Sequence, residues 1–221
     1  YIGTWHIIAT KDPDSEWVNW GMYRLMVHDR NKMGGVLVPH QNIGMMYYGK
    51  YEPRNMTMPF AAALGTEPIT PLMGCTFIPV GVSEADIVGG LRGEPLELVK
   101  CETVDLAVPA TTEIVIEGEV RPFERKDEGP FGEYVGYRAG VRSPKPVYRV
   151  KAITYRNNPI LPVSNMGVPV DDAASAMHIT MSGDILEQLR NANFPVKMAY
   201  CPPYAVCHMI VVSTKVPYPN F

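Results

Sequence analysis

The sequence predicts a mixed α+β protein with a mainly antiparallel first part, followed by the start of an α/β layer. Three observations point there. The 21 prolines and 19 glycines are spread along 221 residues and cut the chain into short elements, which favours strands joined by loops. Strand-like apolar runs succeed one another as far as Tyr155. Near Pro162 the character changes to helix-compatible patterns. No repeat and no low-complexity linker interrupts the chain.

The elements follow in order. Ile2 to Ala9 reads as a strand, and Asp12-Pro13-Asp14-Ser15 as a turn. Tyr23 to His28 and Gly35 to Val38 read as a strand pair joined by a polar turn at Asp29 to Lys32. Ser83 and Asp86 form a helix-starting capping pair, with the helix running to Leu91 and stopping near Gly93. Leu96 to Cys101, Glu113 to Val120 and Val147 to Tyr155 are further strands. Beyond Pro162, helices are expected over Asp171 to Met181 and Gly183 to Ala192, and a strand over Ala205 to Val212.

The bulk properties exclude several classes. With 46% hydrophobic and 19% charged residues the chain carries the composition of a folded globular protein. A net charge of −3 and the absence of a Lys/Arg block argue against nucleic acid and for a small-molecule partner. No apolar run approaches the roughly 18 residues of a membrane span. The four cysteines, Cys75, Cys101, Cys201 and Cys207, form no CxxC pair, so buried free thiols in a reduced cytoplasmic setting are expected. With no signal peptide and no initiator Met before Tyr1, a piece of a longer chain is expected.

Three features carry chemistry: an acid pair, the stretch from Asn19 to Arg24, and an acid at a helix start. In Glu128-Gly129-Pro130-Phe131-Gly132-Glu133 two carboxylates flank residues that will not continue a helix. Such a loop can turn both acids to one point, where at least one resists ionisation and becomes a proton donor; the alternative is a solvated turn with two surface acids. Arg24 opens an otherwise apolar strand, so it either meets a buried anion or sits on an edge strand. Asn19 reads as a turn residue or a metal ligand, and Glu84 as a helix-dipole acid or a cation ligand. His28, beside Asp29, suggests a local hydrogen bond; His40 lies in a loop close to these residues.

These pieces, in this order, resemble the UbiD family of decarboxylases. The matching stretches are NWGMYR at 19–24, GVSEADIVGGLRGEP at 81–95, VKCETVDLAVPATTEIVIEG at 99–118, EGPFGEYVGY at 128–137 and KAITYRNNPILPVSN at 151–165. The resemblance implies a split-barrel-like flavin-binding catalytic domain over residues 1–161, followed by the beginning of a dimerisation domain over 162–221. It also implies prenylated FMN, a divalent cation such as Mn2+, and K+. Asn19 and Glu84 fall on the family's metal ligands. The third is commonly histidine, where this sequence has Asn42, and His40 is the alternative. Trp20, Met22, Tyr23, Arg24, Val36, Val38 and Gln41 fall on positions that line flavin or substrate, and Met73, Gly74 and Thr76 on the potassium site.

The activity implied is non-oxidative, reversible decarboxylation of an α,β-unsaturated or (hetero)aromatic acid through a covalent adduct with prenylated FMN. Arg24 and Glu128 would orient the substrate and Glu133 would donate the proton. A flavin prenyltransferase would supply the cofactor, and a homo-oligomer is implied. The departure at Asn42 leaves a second reading, a flavin-binding, non-catalytic or assembly subunit. A third, a hydrolase built on the acid pair alone, would work without flavin.

Overall fold

Strands β1 (His6–Lys11), β2 (Val18–Gly21), β3 (Leu25–Asp29), β4 (Lys32–Gly35) and β5 (Met58–Leu64) open the chain. Helices α1 (Asn42–Met46), α2 (Ile69–Gly74) and α3 (Glu84–Arg92) lie among and after them. Then come β6 (Leu98–Lys100), β7 (Ala107–Pro109), β8 (Ile114–Glu128) and β9 (Ser143–Tyr155). The computed structural model describes residues 1–138, 140–206 and 208–215. It divides into two compact units, Tyr1–Pro130 with Gly140–Val163, and Phe131–Ala139 with Ser164–Phe221.

In the first unit a seven-stranded antiparallel sheet runs β2-β1-β5-β8-β9-β4-β3, and β6 pairs with β7 beside it. The sheet curls until its borders meet. Ile2, just before β1, donates its N–H to the Leu25 carbonyl of edge strand β3 at 2.9 Å. The result is a split barrel. Ile8, Phe60, Ala62, Leu64 and Tyr148 pack on one side, with the Phe60 and Tyr148 rings edge to face at 4.8 Å. Ile7, Ala9, Ala61 and Ala63 pack on the other, against Leu106 and Val108.

Burial on both faces explains why β5 is missed by the sequence reading. MPFAAAL has no alternation, and its alanines are poor strand formers that fit here because both layers press closely on them. The expected Gly35–Val38 strand is instead β4, ending at Gly35. Gly34 pairs with Val147, and the next residue of β9 is Pro146, which has no N–H to offer. The β3–β4 turn is correspondingly tighter than expected. The expected Glu113–Val120 strand continues to Glu128, because β9 supplies partners beyond a bulge between Val120 and Arg125. Ser83 does occupy the N-cap of α3, but its side chain makes no capping bond.

The second unit holds α4 (Asp172–Asn191) and a two-stranded antiparallel sheet of β10 (Val196–Tyr200) and β11 (Val211–Thr214). α4 is one helix where two were expected, since the Cβ position of Gly183 lies in open space and the helix passes through it. Asp171 caps it, accepting the Ala174 N–H at 2.8 Å. The strand expected over Ala205 to Val212 begins only at Val211, after a short 3-10 turn at Pro203–Ala205. Among the described residues no helix is long and apolar enough to cross a membrane. Cys75, Cys101 and Cys201 are free thiols, only Cys201 fully buried, and Cys207 lies outside the described residues.

His6 ties the barrel seam. Fully buried, it donates from Nε2 to the Tyr23 carbonyl at 2.9 Å. Its Nδ1 has no partner, and Gly3, with φ of 72°, is packed so close that a Cβ would lie 2.7 Å from that nitrogen. A proton on Nδ1 would have no acceptor, and burial lowers the His6 pKa from 6.5 to about 4. The unfolded chain therefore binds a proton that the native state refuses. Stability is full above pH 6.5 and is lost as pH falls from 6.5 through 4, by roughly 3 kcal/mol. Urea unfolding at pH 7.5 and pH 4 measures this, and His6→Phe should flatten the difference.

Candidate functional site

Arg24 stands immediately before β3 and Glu128 is the last residue of β8, so the expected free loop around Glu128 is in fact a strand end. The structure brings the two together. Arg24 Nε donates to Glu128 Oε1 and Nη2 to Oε2, both at 2.9 Å, a two-point grip suited to a planar guanidinium. Glu128 is 1% exposed and the Arg24 side chain 23%. Of the two alternatives in the sequence, a buried anion or a surface place on an edge strand, the structure shows the buried anion, with Arg24 just ahead of edge strand β3. A third donor was not foreseen: the Tyr1 hydroxyl reaches Glu128 Oε1 at 2.9 Å. An aromatic residue at the start of a sequence gives no pattern from which to predict that contact.

A second cluster joins β2 to the start of α3. The Glu84 carboxylate, 2% exposed, accepts the Asn19 amide at 2.7 Å and the Trp20 N–H at 2.8 Å. The Tyr23 hydroxyl donates to Asn19 Oδ1 at 3.0 Å. Burial raises the Glu84 pKa, opposed by these donors. Glu84 is thus no ordinary solvated helix-dipole acid. Among the described residues no group of three or more His, Cys, Asp or Glu gathers around a point, so any cation here would draw on amide and carbonyl oxygens as well.

The other candidates lie on the connections. Met22 donates its N–H to the Gly74 carbonyl at 3.1 Å, and the Cys75 thiol contacts the Met22 sulfur at 3.6 Å. The Thr76 N–H and hydroxyl bond the Met73 and Leu72 carbonyls, and the Leu72 carbonyl also accepts the Cys75 N–H. Val36 and Val38 are half-buried around the buried Leu37. His40 and Gln41 are exposed, and Asn42 begins α1 half-buried. α1 sits tightly on this segment, since a Cβ at Gly44 would come within 2.0 Å of the Val38 carbonyl. The hydrogen bond expected between His28 and Asp29 is absent: Asp29 serves Asn31 and Lys126, and His28 Nε2 lies against Gly34 without a partner.

Glu133 lies in the segment that belongs to the second unit. Its N–H donates to the Tyr137 carbonyl and its carbonyl accepts the Gly136 N–H, each at 2.9 Å, so a turn of backbone bonds shapes the segment around it. The side chain is half-buried. Tyr134 stacks on His208 with ring centres 6.0 Å apart.

Comparison with known proteins fits this arrangement. Residues 1–169 match the family model described as UbiD, the 3-octaprenyl-4-hydroxybenzoate carboxy-lyase Rift-related domain. A pyrrole-2-carboxylic acid decarboxylase of Pseudomonas aeruginosa is 38% identical over 98% of this chain and 43% of its own length. Ferulic acid decarboxylase 1 of Saccharomyces cerevisiae is 37% identical over 91% of this chain and 41% of its own. The chain therefore spans less than half the length of these relatives. Among solved structures, the UbiD-class enzyme HmfF of Pelotomaculum thermopropionicum, an evolved dimeric form in complex with prFMN, superposes with a TM-score of 0.87 at 34% identity, covering 98% of this chain and 50% of that one. Vanillic acid decarboxylase of Sedimentibacter hydroxybenzoicus gives 0.90 at 30% identity, covering 98% and 46%.

Proposed function

The chain belongs to the UbiD family, and on that premise we propose that it forms the prenylated-FMN-binding, catalytic part of a decarboxylase. The substrate class is an aromatic, heteroaromatic or α,β-unsaturated carboxylic acid, and the reaction is reversible. The observations that carry the reading are the buried, two-point Arg24–Glu128 pair and the buried Glu84–Asn19 cluster.

Asn19 and Glu84 fit a divalent cation such as Mn2+. A buried carboxylate with a raised pKa is a hard-oxygen donor that a cation relieves. The Asn19 amide now turns its nitrogen to that carboxylate and its oxygen to the Tyr23 hydroxyl, and rotating it would add Oδ1 to the donor set. Asn42 or His40 would complete it, and the Met73 and Gly74 carbonyls, with Thr76, suit K+. Trp20, Met22, Tyr23, Val36, Val38 and Gln41 would line the flavin. Prenylated FMN, when bound, supplies an electron sink for the pair left as carbon dioxide departs. A flavin prenyltransferase would provide it, and the protein would work as a cytoplasmic homo-oligomer.

The protein's own part is to orient, to balance charge and to move one proton. Arg24 faces the substrate carboxylate. Left alone, a guanidinium would bind that group more tightly than the neutral product and so deepen the ground state. Glu128, sharing two of its N–H donors, tempers the attraction. Glu133 then delivers the proton that replaces carbon dioxide on carbon.

The test is reconstitution of the full-length protein with prenylated FMN against a panel of aromatic and cinnamic-type acids. Carbon dioxide release, and hydrogen exchange into product in deuterated buffer, are expected. Absence of both across the panel would overturn the reading. For the cation, Glu84→Gln should weaken Mn2+ binding by roughly 10–100-fold, read by titration calorimetry. Unchanged affinity would remove Glu84 from the ligand set.

A further inference from the structure

We infer that Tyr1 is a positioning residue of this site, its hydroxyl fixing the Glu128 carboxylate that holds Arg24. The inference deepens the reading above and rests on it. Closure of the barrel explains how Tyr1 comes to be there. The Ile2–Leu25 bridge lays the residues before β1 along β3, the strand that Arg24 precedes. The phenol then reaches across to the end of β8.

Glu128 is a carboxylate almost wholly withdrawn from water, and such a group needs donors at both oxygens. Oε2 receives Arg24 Nη2. Oε1 receives both Arg24 Nε and the Tyr1 hydroxyl, each at 2.9 Å. Arg24 and Glu128 grip one another through a flat fork carried on two rotatable stems, and the phenol adds a donor from a third segment to that grip. Tyr1 therefore sets where the guanidinium points rather than touching the reacting acid.

Burial and the neighbouring Glu128 raise the Tyr1 pKa to about 12, so the phenol stays a donor throughout the neutral range. Its ring is nearly half exposed, and removing the oxygen alone leaves the packing intact.

The experiment uses the full-length protein loaded with prenylated FMN. Tyr1→Phe should lower kcat about tenfold, with a modest fall in melting temperature from the lost hydrogen bond and FMN affinity by fluorescence quenching unchanged. In a Glu128→Leu background, which leaves the hydroxyl no acceptor at this position, the same change should cost nothing more; Glu128→Ala serves if that variant does not fold. Full kcat in Tyr1→Phe, or the same factor in both backgrounds, overturns the inference. A readout free of turnover separates its failure from that of the decarboxylase reading. With 3-fluorotyrosine at position 1, the 19F resonance should move on Glu128→Gln and hold on Glu133→Gln. A resonance indifferent to Glu128 refutes the contact even in an inactive protein, whereas an inactive wild type with a responsive resonance sinks only the reaction.

Discussion

Glu133→Gln should abolish product formation while the protein still holds its flavin. Glutamine keeps the shape and hydrogen-bonding reach of glutamate but has no ionisable proton to deliver, so the loss isolates proton transfer. A positioned general acid contributes about 10²–10⁴-fold, and a fall in kcat of about 10³-fold is expected. The turn from Glu133 to Tyr137 is held by backbone bonds, so the substitution leaves the segment's shape alone. Carbon dioxide release reports the reaction and fluorescence quenching reports flavin affinity. Wild-type turnover in this variant would remove Glu133 from the role of donor.

The second large effect comes from Arg24→Leu. It strands a carboxylate that is 1% exposed with the Tyr1 hydroxyl as its remaining partner from this network. Breaking a buried pair from one side costs about 3–5 kcal/mol, and urea unfolding should show a loss in that range. Turnover should fall at least about 100-fold. Arg24→Leu combined with Glu128→Leu should recover most of the stability, because two apolar groups replace the pair, yet recover no activity. If the double variant regained turnover, the pair would be scaffolding only. Arg24→Lys keeps the charge and loses the fork, and should lie between wild type and Arg24→Leu in kcat.

Much of this was legible in the residues, unevenly. β1, β9 and α3 announce themselves through β-branched residues, a capping residue and a terminal glycine, all local signals. β5 does not, because its three alanines say helix and only the two layers pressing on them say strand. α4 was split at Gly183 by a rule that reads glycine as a break, yet the helix runs through it into open space. The site followed the same division. Arg24 was picked out as a charge in an apolar strand, Glu128 as one of two acids bracketing a loop, Glu84 as an acid at a helix start and Asn19 as a turn residue or metal ligand, and all four then by resemblance to a family. Their pairings span 64 to 104 positions, distances over which no local pattern in the sequence reports. Tyr1 escaped notice for the same reason at 127 positions.

The bulge in β8 has a consequence for how the acid keeps its address. Val120 stands opposite Tyr148, whose ring belongs to the interior, while Glu128 stands opposite Ser143. Counted along β9, Ser143 falls on the reverse side from Tyr148, so Glu128 points away from the side Val120 occupies. Counted along β8 alone, an even step would have sent both inward. The carboxylate thus takes its direction from the neighbouring strand rather than its own. Insertions or losses between Val120 and Arg125 can be absorbed by the bulge without turning Glu128. A single-residue slip between Ser143 and Tyr148 would rotate it out of reach of Arg24.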